Sequence, residues 1–221
     1  MNKGVVSVLV AYLIWGLYPF YFHAMQHVAP TEIVIHRVLW TFALLAVYLF
    51  CSRRWRWIQK AITDRRTVAV FLMSSVLITA NWSTYTYAIV TNQTLEASLG
   101  YFMNPLVSVL LGTVFLKEKL NKAQMLAIVF ACAGVMWVTF KQGEFPALGL
   151  TLALSFGFYG LVRKMAPLGS LEGLTLETAF AFPVALLATF YFAGNGDLTF
   201  VHGTSWDKFW LIMAGPITTI P

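Results

Sequence analysis

A chain of 221 residues that is 59% hydrophobic and 11% charged, with a mean hydropathy of +0.72, does not have the composition of a soluble domain, in which about a quarter of residues are charged. The net charge of +6 does not indicate a nucleic-acid partner, because the basic residues sit in short stretches between apolar runs rather than on one basic face. Cys51 at a span edge and Cys132 within a span are placed as small apolar residues, not as a disulfide.

A membrane-crossing helix needs about 20 mostly apolar residues. Runs of this kind cover 4–22, 33–51, 68–90, 98–116, 123–140, 147–162 and 172–193, and Lys208 opens an eighth that reaches Pro221. The first run lacks a small-residue cleavage site and reads as an uncleaved span. Threaded alternately through a bilayer, the runs place twelve of the fifteen Lys and Arg residues on one side. These are Lys3, then Arg53, Arg54, Arg56, Lys60, Arg65 and Arg66, then Lys117, Lys119 and Lys122, then Arg163 and Lys164. Only Arg37, Lys141 and Lys208 fall elsewhere, so the positive-inside rule puts the N-terminus in the cytoplasm.

The longest inner loop, 52–66, carries Trp55 and Trp57, which suit the headgroup region. Glu32, Glu96, Glu144, Asp197 and Asp207 lie in or beside the outer loops. Thr94 is the expected N-cap of the fourth span, with Glu96 in its first turn facing the positive helix end.

The chain also repeats itself. Gly16-Leu17-Tyr18 returns as Gly157-Phe158-Tyr159, Ala29-Pro30 as Ala166-Pro167, and Ala43-Leu44-Leu45-Ala46 as Ala185-Leu186-Leu187-Ala188. One copy holds five spans, an odd number, so the second enters the membrane upside down, a recurring transporter architecture. The division is 1–141 for the first copy and 142–221 for the second. By analogy with the first copy, the second is short of three spans, roughly 70 to 80 residues. The expectation is therefore a fragment or a truncated product.

Asn81-Trp82 and the string Leu95-Glu96-Ala97-Ser98-Leu99-Gly100-Tyr101-Phe102-Met103-Asn104-Pro105-Leu106 closely resemble the RarD branch of the EamA-type drug/metabolite transporter superfamily. Trp15-Gly16-Leu17-Tyr18-Pro19, His36-Arg37, Leu116-Lys117-Glu118-Lys119-Leu120 and Ala131-Cys132-Ala133-Gly134-Val135 support the resemblance. It implies an all-α polytopic membrane protein of the bacterial inner membrane, an EamA-type bundle of two inverted five-helix repeats. Such a bundle has ten helices when complete, and here about seven plus a truncated eighth. It also implies a small metabolite or drug as substrate.

Within the spans, Arg37 is the most costly residue, since a charge at mid-bilayer costs about 3 kcal/mol on insertion scales. It either faces the bundle as an anion-binding or gating group or snorkels to the headgroups. His36 beside it is a candidate for a proton pathway or a hydrogen-bonded core residue. Glu177 mirrors Arg37, but inverted topology puts the two at different depths, so each is expected to serve a gate on its own side rather than to pair. Asn81 with Trp82 and Tyr85 either shapes a pocket or bonds a neighbouring helix. Asn104 before Pro105 caps a freed carbonyl or meets substrate, and Trp15 and Tyr18 line the cavity or only pack.

No cofactor is implied. His23 and His27 lack a third metal ligand, and the chain carries no phosphate-cradling loop and no nucleophile elbow. The reading is a non-enzymatic secondary carrier in the lipid bilayer, without a nucleic-acid partner, moving a small molecule by alternating access on a substrate or proton gradient. A seven-helix receptor competes on span count, although a retinal protein would need a Lys in 172–193 and there is none. A non-transporting remnant or assembly partner is the other alternative.

Overall fold

The computed structural model describes residues 3–53, 55–143 and 145–220; Arg54, Glu144 and Pro221, which the sequence assigns to an inner loop, an outer loop and the last span, lie outside the described residues. Among the described residues the chain forms ten helices and no strand. They are α1 (Lys3–His23), α2 (Pro30–Ser52), α3 (Arg56–Thr63), α4 (Arg65–Val90), α5 (Thr94–Leu116), α6 (Lys122–Gln142), α7 (Ala147–Lys164), α8 (Ser170–Asn195), α9 (Thr199–His202) and α10 (Ser205–Thr219). All eight expected runs fall on helices, the eighth as far as Thr219. Six helices are long and apolar enough to cross a membrane: α1, α2, α4, α5, α6 and α8. At 18 residues α7 is about 27 Å long, and it packs between α4 and α5. The fold is that of an all-α polytopic membrane protein.

The helix ends follow local chemistry. Pro30 opens α2 at a position where its missing N–H costs nothing, and Arg53 closes it in the left-handed region at φ 53°. Asn121 and Gln124 form a reciprocal capping box at the start of α6, as do Thr204 and Asp207 at the start of α10. Asp64 caps α4 by accepting from the Arg66 and Thr67 amides. The expected cap of α5 is different. Gln93 is the flanking residue and Thr94 is already helical, while the Glu96 carboxylate accepts from Leu148 N at 3.1 Å, in the first turn of α7. A side chain projecting from one helix start is equally suited to its neighbour's orphan amides when the two starts adjoin.

Two short helices lie outside the expected spans. Between α2 and α4, α3 buries Ala61 against Phe71 and Leu176 and leaves Lys60 and Ile62 exposed. The other, α9, precedes α10. The centre of the bundle is α2, α4 and α8, with α10 laid on α2 and α7 on α4 and α5. Phe22, Met25, Ile33, Tyr85 and Leu211 fill one end of the core, and Ile35, Val38, Ile78, Trp82 and Ala185 fill its middle. Helices α5 and α7 approach each other closely. A Cβ on Gly100 would meet Leu152 Cβ at 2.8 Å and the Gly149 carbonyl oxygen at 2.9 Å, so glycine is required for the approach. By contrast α6 packs against α5 and exposes Val129, Phe130, Trp137 and Phe140, a surface suited to lipid.

Candidate functional site

Arg37 lies inside the bundle. It is 6% exposed, its Nε donates to Thr218 Oγ1 at 2.8 Å, and its guanidinium carbon stands 4.3 Å from the Trp82 ring centroid and 5.8 Å from that of Tyr18. The snorkelling alternative therefore does not hold. Thr218 can accept because its own hydroxyl proton goes to Ala214 O at 2.7 Å. Tyr18 in turn donates to Ile217 O at 2.6 Å, which ties α1 to α10. Cation–π contact is worth about 2 kcal/mol when desolvated, so the rings offset much of the roughly 3 kcal/mol charged-residue penalty.

Glu177 is 1% exposed. Its Oε1 accepts from Ser74 Oγ, its Oε2 accepts from Tyr159 OH at 3.3 Å, and Arg163 Nε stands 3.7 Å away. Ser75 Oγ also donates to the Glu177 carbonyl at 2.6 Å. Arg163 lies across Gly173, where an added Cβ would collide with Nη1, and its Nη2 donates to Gly169 O at 3.1 Å. Arg37 and Glu177 do not pair with each other: Thr218 holds the first, and Ser74, Tyr159 and Arg163 surround the second.

The two clusters correspond to each other. Arg37 is the eighth residue of α2 and Glu177 the eighth of α8. Tyr18 and Tyr159 each stand five residues before the end of their helices, α1 and α7. Each charge is hydrogen-bonded by a hydroxyl from the opposite half of the chain: Thr218 of α10 for Arg37, Ser74 of α4 for Glu177. A tyrosine, a charge and a cross-donated hydroxyl thus occur twice.

The other expected residues divide. Trp82 and Tyr18 join Arg37, and Tyr85 sits in the same aromatic wall, 5.6 Å from Phe22 and 5.8 Å from Tyr101 by ring centroids. Asn81 spends both amide hydrogens on α7, at Leu152 O (3.1 Å) and Ser155 Oγ (3.0 Å), so it bonds helices together. Asn104 accepts from Ser108 Oγ at 3.4 Å and meets Asn81 and Tyr101 around a small recess. His36 turns away from Arg37: its Nδ1 accepts from Trp40 Nε1 at 3.1 Å, and its ring lies 4.5 Å from that of Phe200. Beside it Glu32, 2% exposed, accepts from the Thr199 and Phe200 amides at 3.0 and 2.7 Å. Trp15 is 40% exposed, meets Tyr12 edge-on and is hydrogen-bonded to Tyr18 at the border of the Arg37 cluster.

Ser74, Tyr159, Arg163, Thr218 and Glu32 are absent from the sequence-based site. Tyr159 carried a usable signal, the return of Gly16-Leu17-Tyr18 at 157–159. The hydroxyls carried none, since a lone Ser or Thr in an apolar helix is commonly satisfied by its own backbone.

Six helices of membrane-crossing length and apolarity, packed around buried ionisable groups, define the class: an all-α polytopic membrane protein. Residues 2–140 match the model of the EamA-like transporter family. The chain is 38% identical over 221 residues to a Pseudomonas aeruginosa protein described as an uncharacterized transporter, covering all of this chain and 74% of the relative. It is 37% identical over 220 residues to Protein RarD of Escherichia coli, covering all of this chain and 74% of that protein. A Bacillus subtilis protein, also described as an uncharacterized transporter, is 40% identical over 225 residues, again covering all of this chain and 74% of the relative. The chain belongs to the EamA-like transporter family, in its RarD branch. It is a membrane permease of the drug/metabolite transporter type, with a small-molecule substrate and a lipid environment.

Proposed function

We infer that the protein is a non-enzymatic secondary carrier of the bacterial inner membrane, with a cytoplasmic N-terminus, that moves its substrate by alternating access between two inverted repeats, 1–141 and 142–221. The observation that carries this reading is the doubled tyrosine–charge–hydroxyl cluster, in which each repeat donates the hydroxyl that holds the other's charge. With the repeats inverted, the Arg37 cluster lies toward the outer face and the Glu177 cluster toward the inner. Each closes the crevice on its own side, and opening one while the other holds gives alternating access. Arg37, Trp82, Tyr18 and Tyr85 form the outer part of the pathway, with Trp15 and His36 flanking it and Asn81 and Asn104 supporting it. Glu177 is the inner gating group. The driving force is a gradient of substrate or protons.

Spin-label distances test this. One pair joins the inner ends at Gln59 and Met165, the other the outer ends at His23 and Asn195, all exposed positions in opposite halves of the chain. In nanodiscs, Glu177→Ala should lengthen the inner distance and shorten the outer one, and Arg37→Ala should do the reverse. Changes of the same sign at both ends, or none, would overturn the mechanism.

A further inference from the structure

The Arg37 guanidinium is held by three of its surfaces and left open on the fourth. Trp82 and Tyr18 lie against it at 4.3 and 5.8 Å, and Nε is committed to Thr218. Its two terminal amino groups have no hydrogen-bond partner among the described residues, and none of the described acids forms an ion pair with it. A guanidinium fixed in this way presents the edge that matches two oxygens of one planar anion, the fork-to-fork geometry in which arginine exceeds lysine. The protons of the Tyr18 and Tyr21 hydroxyls are committed to Ile217 O and Trp210 O, so the guanidinium is the donor that an anion at that edge would meet. The surroundings are aromatic: Tyr18 meets Phe22, Phe22 meets Tyr85, and Tyr85 meets Tyr101, each edge to face with centroids 5.6 to 6.1 Å apart.

We propose that Arg37 is the receptor for the carboxylate of an organic-acid substrate whose flat apolar body lies against the aromatic side chains on the Tyr85–Tyr101 side of the guanidinium. The inference rests on the permease reading and adds the substrate class to it. A single cation balances a monoanion, whereas a phosphate monoester brings nearly two negative charges into a site that offers one positive charge. The aromatic wall selects against small hydrated anions, which gain nothing from stacking and lose their water.

The test uses the full chain in nanodiscs and needs no knowledge of the natural substrate. Benzoate, benzamide, phenyl phosphate and inorganic phosphate are titrated while the melting temperature and tryptophan emission are followed. Benzoate should raise the melting temperature saturably and perturb Trp82, phenyl phosphate should act more weakly, and benzamide and inorganic phosphate should do neither. Arg37→Gln should weaken benzoate binding by ~10- to 100-fold, the range expected for loss of a charge-assisted contact. Arg37→Lys, which keeps the charge without the fork, should weaken it several-fold at least and covers the case in which Arg37→Gln does not fold. The proposal is overturned if benzamide or inorganic phosphate acts as well as benzoate, if benzoate gives no saturable response, or if Arg37→Lys binds it unchanged. Reciprocal gate distances without benzoate binding would remove this proposal alone. Benzoate binding without reciprocal gate distances would remove the alternating-access reading alone.

Discussion

Glu177→Ala is the most informative single change. It deletes the acceptor for Ser74 Oγ and Tyr159 OH and the anion that faces Arg163 at 3.7 Å. Removing one member of a buried charge pair costs about 3 to 5 kcal/mol, because the other is left uncompensated. Here the lower end applies: the 3.7 Å separation exceeds a hydrogen bond, and the Arg163 side chain is 17% exposed and keeps Gly169 O. A loss of about 3 kcal/mol is therefore expected. Glu177→Gln retains an acceptor for both hydroxyls and should lose only about 1 to 2 kcal/mol, the difference between a charged and a neutral hydrogen bond. Combining Glu177→Ala with Arg163→Ala should cost less than the sum of the single losses by about 1 to 2 kcal/mol, since the orphaned charge disappears with its partner. Reversible unfolding in mixed micelles with increasing SDS, followed by circular dichroism, gives all four values. Additivity within about 0.5 kcal/mol would refute the coupling of Arg163 to Glu177.

Two further changes probe the scaffold. Gly100→Ala would drive a Cβ to 2.8 Å from Leu152 Cβ and 2.9 Å from the Gly149 oxygen, so overpacking of about 1 to 3 kcal/mol should outweigh the roughly 1 kcal/mol that alanine gains over glycine in a helix. The same unfolding measurement checks it, and a stabilised variant would contradict the backbone contact between α5 and α7. Asp64, outside the spans, has its carboxyl held below the ordinary aspartate value first by the Thr67 hydroxyl and then by the Arg66 and Thr67 amides. A lowered folded value means that its contribution is full above the unfolded value, about 3.9, and fades as pH falls through the folded one. Asp64→Ala should thus speed amide exchange in the first turn of α4 near neutral pH. That difference should vanish once the wild-type carboxyl is protonated in acid.

The spans were legible because burying apolar length in lipid leaves little freedom: every expected run is a helix, with ends displaced by up to four residues at the polar caps. What escaped was short or borrowed. Eight residues such as Arg56–Thr63 cannot announce themselves by an apolar run, and they become helical by docking Ala61 on Phe71 and Leu176. Glu96 has the sequence of a first-turn acid of its own helix, yet it serves α7, which a local pattern cannot reveal. Arg37 and Glu177 were visible because charge is rare inside a span. Their hydroxyl partners lie 181 and 103 residues away in the chain, and Thr218 and Ser74 resemble any other small polar residue in an apolar run.

Those two separations have a consequence for synthesis. When Glu177 leaves the ribosome, Ser74 is already made and waiting, so the acid can be satisfied as soon as its helix enters the membrane. Arg37 has the opposite history, since Thr218 follows it by 181 residues. Trp82 is made 45 residues after Arg37 and 136 before Thr218, so at about 5 to 20 residues per second the nascent bundle holds a cation against Tyr18 and Trp82 alone for about 7 to 27 seconds. The two rings then act as a provisional shelter during biogenesis. Trp82→Ala should accordingly lower the yield of inserted protein more than it lowers the stability of molecules that have finished folding.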